Sequence, residues 1–126
     1  MGTSRSGKAR AEWVGSARVF SGRPDPTWAV PAHVATRLER LWESLEPWTG
    51  EVPASPALGY RGCALRDAKG REWVAYAGVV MLHVSGRHEA RQDNGRAFEK
   101  LLLASAPARM IPASIIDGLD AETSTP

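Results

Sequence analysis

The side chains with the best prospects for chemistry lie in two short stretches of this sequence. In residues 21–28, two prolines hold the backbone of Arg23 and Asp25 extended, and a tryptophan ends the loop. Residues 58–62 place a tyrosine and an arginine between two glycines. An arginine, a carboxylate and a tyrosine that meet could bind a ligand, anchor a partner or move a proton. We therefore predict a ligand- or partner-binding surface, with no residue assigned to catalysis, that is made of Arg23, Asp25, Trp28, Tyr60 and Arg61.

The loop also has a purely structural interpretation. Arg23 and Asp25 can pair with each other or with the backbone, and the loop would then only aim the chain from a strand into a helix. If the group is a site, its shape decides the chemistry. A deep pocket that holds a carboxylate or tyrosine of shifted pKa favours an enzyme, whereas a flat or convex surface favours binding. The sequence leaves both interpretations open.

Other patterns that would signal catalysis or a cofactor are weak. Cys63 alternates with Leu65 in an apolar stretch, which predicts a buried thiol. His83 and His88 lack the tight paired spacing of structural zinc ligands. Residues 2–9 have the spacing of a phosphate-binding loop, but the strand that such a loop follows has no room before them. We therefore expect no metal and no other cofactor.

Composition and charge narrow the class of protein. The chain has 126 residues, of which 43% are hydrophobic and 24% charged, and this suits one globular domain. A formal net charge of +2 is too small to predict nucleic-acid binding. The single cysteine allows no internal disulfide, and no apolar run is long enough to cross a membrane. We expect a cytoplasmic protein whose partner is another protein, with a homodimer left open.

Apolar periodicity predicts the elements that would hold the two stretches. Residues 11–20 alternate like a strand, in which Gly15 marks a bulge. Residues 31–46 repeat apolar side chains at helical spacing. Residues 58–84 form a hairpin, and Gly78 marks either a bulge or a break into two strands.

The remaining residues predict a second helix and two tails. Residues 85–93 read as a polar loop, Asp93 caps a helix over residues 94–105, and residues 110–119 form one helical turn. The expected fold is α+β, with a small three- or four-stranded, mostly antiparallel sheet and two helices packed on one face. The expected organisation is a disordered basic tail, a single domain and a disordered acidic tail, over residues 1–9, 10–119 and 120–126.

Two motifs resemble a group of small, uncharacterised bacterial proteins. Ser21-Gly22-Arg23-Pro24-Asp25-Pro26-x-Trp28 precedes a leucine-rich helix, and Leu58-Gly59-Tyr60-Arg61-Gly62 follows it, in the same order as in that group. This resemblance implies an order of elements and no activity. The layout of strand, corner, helix, hairpin and helix is also similar to emfourin-like inhibitors of thermolysin-type metallopeptidases, and no inhibitory residue can be matched.

These observations support three hypotheses about function. The first is a non-enzymatic binding or protein-interaction domain of unknown partner. The second is a protease inhibitor or an immunity-type protein. The third is a small enzyme that uses the polar group around Asp25 and Tyr60 for acid–base chemistry.

Overall fold

A single antiparallel sheet of six strands organises the chain, in the order β2-β1-β3-β4-β5-β6. The structure, a computed structural model, describes residues 13–19, 24–54 and 60–124, with side chains as far as residue 118. The strands are β1 (Val14–Ala17), β2 (Thr27–Ala29), β3 (Cys63–Arg66), β4 (Glu72–Tyr76), β5 (Val79–Val84) and β6 (Arg87–Gln92). The helices are α1 (Ala32–Ser44), a 3-10 turn (Asn94–Arg96), α2 (Ala97–Ala104) and α3 (Ala113–Ser124).

The sheet is larger than the three or four strands that the sequence predicts, chiefly because of two tight turns. Ala77 and Gly78 both have positive φ, 53° and 87°, and this two-residue turn ends β4 and begins β5. The break at Gly78 is therefore the correct one of the two alternatives. Ser85 and Gly86 repeat the same geometry at 49° and 80° and turn β5 into β6.

The prediction of a polar loop over residues 85–93 is wrong, because β6 is a strand made of polar residues. It is the last strand of the sheet, and most of its side chains face solvent, so it needs no apolar alternation. The chain after α1 lies beside its far edge. There Gln92 N–H donates to Glu46 O at 2.7 Å and Trp48 N–H donates to Ala90 O at 2.9 Å.

The remaining unforeseen strand, β2, lies inside the predicted loop. Trp28 in β2 pairs with Gly15 in β1, and its indole lies across that glycine. A Cβ on Gly15 would come within 2.6 Å of the indole. The prediction of a bulge at Gly15 is therefore wrong: the glycine keeps regular pairing and makes room for a ring.

The core lies on one face of the sheet, between the strands and the helices α1 and α2. Leu38 and Trp42 of α1, Phe98 of α2, and Leu65 and Trp73 of the sheet belong to one buried cluster. We call this side the helix face and the opposite side the distal face. By the alternation of strand residues, Val74 and Met81 point to the distal face, because their neighbours along each strand are in the core.

Two further helical features refine the predictions. Asp93 accepts hydrogen bonds from the N–H groups of Phe98 at 2.8 Å and Glu99 at 3.1 Å, in the first turn of α2. The predicted start of this helix at residue 94 is wrong: residues 94–96 form the 3-10 turn, and Arg96 occupies the N-cap position of α2. Instead of one turn, α3 runs to Ser124, through the first residues of the segment expected to be a tail.

In the part of the chain that the structure describes, no helix is long and apolar enough to cross a membrane.

Candidate functional site

A β-bulge between β1 and β3 sets the geometry of the candidate site. Arg61 N–H donates to Arg18 O at 2.7 Å, while Arg18 N–H donates to Gly62 O at 2.9 Å. Two consecutive residues therefore face one, which is the defining feature of a bulge. The bulge reverses the alternation of side chains beyond Gly62. Arg61 consequently reaches the distal face, and Tyr60 turns to the helix face.

Gly62 is required for this geometry. Its φ is +104°, in the region that favours glycine, and it lies against β4. A Cβ at this position would meet Ala75 O at 2.8 Å and Tyr76 Cβ at 3.0 Å. Any other residue would have to move the backbone that places Arg61.

Asp25 and Arg61, both in the predicted site, come together at the edge of the distal face. The Arg61 guanidinium Nη2 lies 3.9 Å from Asp25 Oδ1, with the two side chains 28% and 31% exposed. The same Asp25 oxygen accepts a hydrogen bond from Val19 N–H at 3.1 Å. Asp25 thus holds the corner between β1 and β2 and supports the charge of Arg61. Arg23 lies outside the described residues.

A cleft of about 160 Å³ opens on the distal face next to these residues. Arg18 and Arg61 line one end of it. The floor follows three cross-strand pairs of β4 and β5, and the connection after α1 contributes the remaining wall. The floor pairs are Tyr76 with Val79, Val74 with Met81, and Glu72 with His83, and the wall is Val52 and Pro53.

The cleft is polar at its ends and apolar in its middle. Because Gly62 touches Tyr76, the two arginines lie at the Tyr76 end. Glu72 and His83 lie at the other end, roughly 13 Å away at ~3.3 Å per strand residue. These regions can orient a ligand that has an anionic group next to an apolar one. The anionic group would lie at the arginines, and the apolar group would lie on the middle of the floor.

Tyr60, a third member of the predicted site, points away from the cleft. Its hydroxyl donates to Glu99 Oε2, and Glu99 is fully buried beside Arg96, whose Nε lies 3.2 Å from Glu99 Oε1. Burial, reinforced by the charge of Glu99, raises the pKa of Tyr60 far above its usual value. Tyr60 is therefore a neutral donor in a buried network and does not share a site with Asp25 and Arg61.

Trp28, the remaining residue of the predicted site, lies in the core with 5% of its surface exposed. Its indole N–H donates to Ser105 Oγ at 2.9 Å, and Ser105 in turn donates to Leu102 O at 2.6 Å. The ring thereby anchors β2 to the end of α2. Trp42 and Trp73 are buried as well.

Two buried groups that could react as a nucleophile or an acid, Cys63 and Asp93, are closed off from the cleft. Cys63 is fully buried, as predicted, and burial raises the pKa of its thiol. Asp93 is 3% exposed, and burial raises its pKa although two backbone N–H groups bond to it. Both are closed off from solvent and used in packing or capping.

Possible metal ligands do not gather into a site in the part of the chain that the structure describes. There, no group of three or more His, Cys, Asp or Glu side chains is arranged to hold a metal ion. His83 and His88 face each other across β5 and β6, with ring centroids 5.8 Å apart. The pair is a cross-strand aromatic contact.

Sequence reasoning missed most of the cleft. Of the described residues that line the cleft, Arg61 is the one that the sequence predicted as a site residue. The alternation of Ser16 and Arg18 was the available signal, because both point away from the buried Gly15 and Ala17.

No protein-family model matches the chain, and no curated protein and no solved structure matches it either. The resemblance of the two motifs and of the layout to other proteins therefore stays a prediction. Function must be inferred from the geometry of the cleft.

Proposed function

We propose that this protein is a non-enzymatic binding domain that recognises another protein through the cleft on the distal face. The single observation that supports this proposal best is the cleft itself. Two arginines and an apolar floor meet there at a partly open surface. Arginine beside apolar side chains is the composition typical of the energetically dominant part of protein interfaces.

The distribution of titratable groups favours binding over catalysis. A small enzyme built on Asp25, Tyr60 and Arg61 would need those side chains on one surface. They lie on opposite faces instead, because Tyr60 bonds to Glu99 on the helix face while Arg61 lines the cleft. The two groups on the cleft side, Asp25 and Arg61, pair with each other at 3.9 Å and are suited to positioning a charge.

Val52, an exposed apolar residue that lines the cleft, also supports a binding function. Val52 is 52% exposed, and among the described residues it is the large hydrophobic side chain that the fold leaves open to solvent. It lines the cleft next to Pro53. A partner that enters the cleft would cover it and gain the free energy of burying that side chain, about 1.5–3 kcal/mol if burial were complete.

Quantitative affinity purification tests this proposal. Tagged wild-type protein, Arg61→Ala and Arg40→Ala are used to capture proteins from the cells that produce this chain. Arg40 is an exposed arginine of α1, on the other side of the molecule, and Arg40→Ala is therefore a matched control for loss of one charge. We expect a partner that binds wild type and Arg40→Ala and is lost with Arg61→Ala.

Two results would contradict the proposal. One is the same set of captured proteins for all three forms. The other is loss of capture by Arg40→Ala as well, since net charge and not the cleft would then govern binding. Thermal unfolding of each purified form shows beforehand that all three are folded.

A further inference from the structure

We infer that the cleft takes the carboxyl terminus of a partner polypeptide, with the α-carboxylate at Arg18 and Arg61 and an apolar last side chain on the floor. This inference rests on the proposed function, because it names the part of the partner that the cleft would hold. Three observations about the cleft lead to it: its volume, the order of its polar and apolar groups, and its charges.

The volume restricts the occupant to about one residue. The cleft measures about 160 Å³. A cavity of roughly 150 Å³ accommodates a molecule the size of benzene, whereas sites for larger ligands span about 300–1,000 Å³. One leucine-sized side chain would therefore fill it.

The order of groups along the floor fits a chain end. The arginines adjoin Tyr76 and Val79, and the next pair is Val74 with Met81. A carboxylate and an apolar side chain thus have binding partners within the span of a single residue. An internal Asp or Glu would supply the anion, but its side chain ends in that anion and could not also place an apolar group on Val74 and Met81. A C-terminal apolar residue supplies both groups at once.

The position of the arginines sets the exit of the bound chain. The remainder of the peptide would leave towards Glu72 and His83, at the end of the cleft opposite the arginines. There the single carboxylate of Glu72 would repel a second anionic group, which fixes the direction of the bound segment.

Two guanidinium groups give this end of the cleft many hydrogen-bond donors. Among the described residues, Arg18 and Arg61 are the cations of the lining, and Asp25 lies 3.9 Å from Arg61. Each guanidinium has five N–H donors, so the two side chains can bind a carboxylate in addition to Asp25. Arginine pairs well with carboxylates because its planar fork can donate two parallel hydrogen bonds.

Fluorescence polarisation with defined peptides tests the inference. The probes are fluorescein-labelled hexapeptides, Gly-Ser-Gly-Ser-Gly followed by Val, Leu, Ile, Met or Phe, each made with a free C-terminal carboxylate and with a C-terminal amide. We expect at least one free acid to bind, and its amide to bind about tenfold more weakly or worse, because the amide removes a charge-assisted hydrogen bond. Binding of acid and amide with equal affinity, or of no peptide at all, would overturn the inference.

Arginine variants locate the bound carboxylate. Arg61→Ala should weaken binding of the best free acid about tenfold or more, and Arg18→Ala should do the same. Arg66→Ala is the matched control, because Arg66 is an exposed arginine of β3 that also points to the distal face but does not line the cleft. If Arg61→Ala does not fold, the comparison of Arg18→Ala with Arg66→Ala decides the same question. Equal loss in Arg66→Ala would overturn the assignment.

The outcomes separate this inference from the proposed function. If no peptide binds while capture of a native partner still depends on Arg61, the carboxylate inference is wrong and the proposed function stands. If neither peptide binding nor capture of a native partner depends on Arg61, the carboxylate inference and the proposed function are both wrong. If free leucine competes with the peptide at equal concentration, the cleft holds a small amphipathic acid, and recognition of a polypeptide end is wrong.

Discussion

Gly62 is the residue on which the positions of Arg61 and Tyr60 depend. The bulge at Gly62 determines that Arg61 points to the distal face and Tyr60 to the helix face. Arg61 supplies charge at the cleft, and Tyr60 donates to a buried carboxylate. Gly62, which has no side chain, thereby determines the surroundings in which Arg61 and Tyr60 act.

We predict that Gly62→Ala destabilises the protein more than a comparable change at an unconfined glycine. The added Cβ would meet Ala75 O at 2.8 Å in addition to the strain of a φ of +104°. We expect a loss of about 1–3 kcal/mol in the free energy of unfolding, measured by urea denaturation. Gly70→Ala is the control, because Gly70 has a φ of +90° and nothing within 4 Å of its Cβ position.

An equal loss in the two variants would show that the close contact with β4 does not matter. In that case the bulge would tolerate a side chain, and Gly62 would not be what holds Arg61 on the distal face.

Ion pairs join the β3–β4 turn to helix α1 on the helix face. Asp67 Oδ2 accepts a hydrogen bond from Arg71 Nε at 2.6 Å, and Arg71 Nη2 lies 3.0 Å from Glu39 of α1. Partial burial alone would raise the pKa of Asp67, but the hydrogen bonds from Arg71 and Lys69 outweigh it and hold the pKa below its usual value. The β3–β4 turn is thus connected to α1.

We predict that Asp67→Asn lowers stability at neutral pH and that its deficit shrinks in acid. A carboxyl whose pKa is lower in the folded state stabilises the fold above its unfolded pKa, and this contribution is lost as the pH falls through the folded pKa. The free energies of unfolding of wild type and Asp67→Asn should therefore converge below the ordinary Asp pKa of 3.8. Urea denaturation from pH 7 downwards measures this, and a deficit that does not change with pH would contradict it.

Ala77, in the turn between β4 and β5, has a backbone conformation that lowers the stability of the protein. Ala77 has a φ of 53°, a conformation that costs an alanine free energy and that asparagine adopts more easily. We predict that Ala77→Asn raises the free energy of unfolding by about 0.5–1 kcal/mol. Ala68→Asn, in an exposed turn position without positive φ, should give no such gain. A gain in both variants would point to solubility or charge and not to backbone strain.

The elements differ in how well the sequence predicts them, and the differences have physical causes. The helix around Leu38 and Trp42 follows from apolar periodicity, and the cap at Asp93 follows from local hydrogen bonding. β6 escapes prediction because a polar edge strand lacks that periodicity, although Ser85 and Gly86 are a turn signal. This signal spans two residues, and a strand after it is established only when the residues that follow pair with β5.

The candidate site is harder to predict than the fold because it depends on contacts between distant parts of the chain. Tyr60 and Arg61 are adjacent in sequence, and only the pairing of Gly62 with Arg18 decides which one faces the cleft. The partner of Tyr60 is Glu99, on a different element. Local patterns identify the residues as unusual but cannot assign them to a face.

Across the whole molecule, the buried core and the cleft proposed for recognition lie on opposite faces of one sheet. The helix face holds the core and the network of Tyr60, Glu99 and Arg96. The distal face holds the cleft with Arg18 and Arg61. Changes on the helix face should alter the free energy of unfolding, and changes on the distal face should alter binding.

The most direct test compares Tyr60→Phe with Arg61→Ala, two adjacent residues on opposite faces, by quantitative capture of the native partner at a temperature at which both variants are folded. Tyr60→Phe removes one donor to the buried Glu99, which should lower stability by about 1–3 kcal/mol but keep the partner bound. Arg61→Ala should keep most of its stability and lose the partner. Retention of the partner by Arg61→Ala together with its loss by Tyr60→Phe would contradict the assignment of recognition to the distal face.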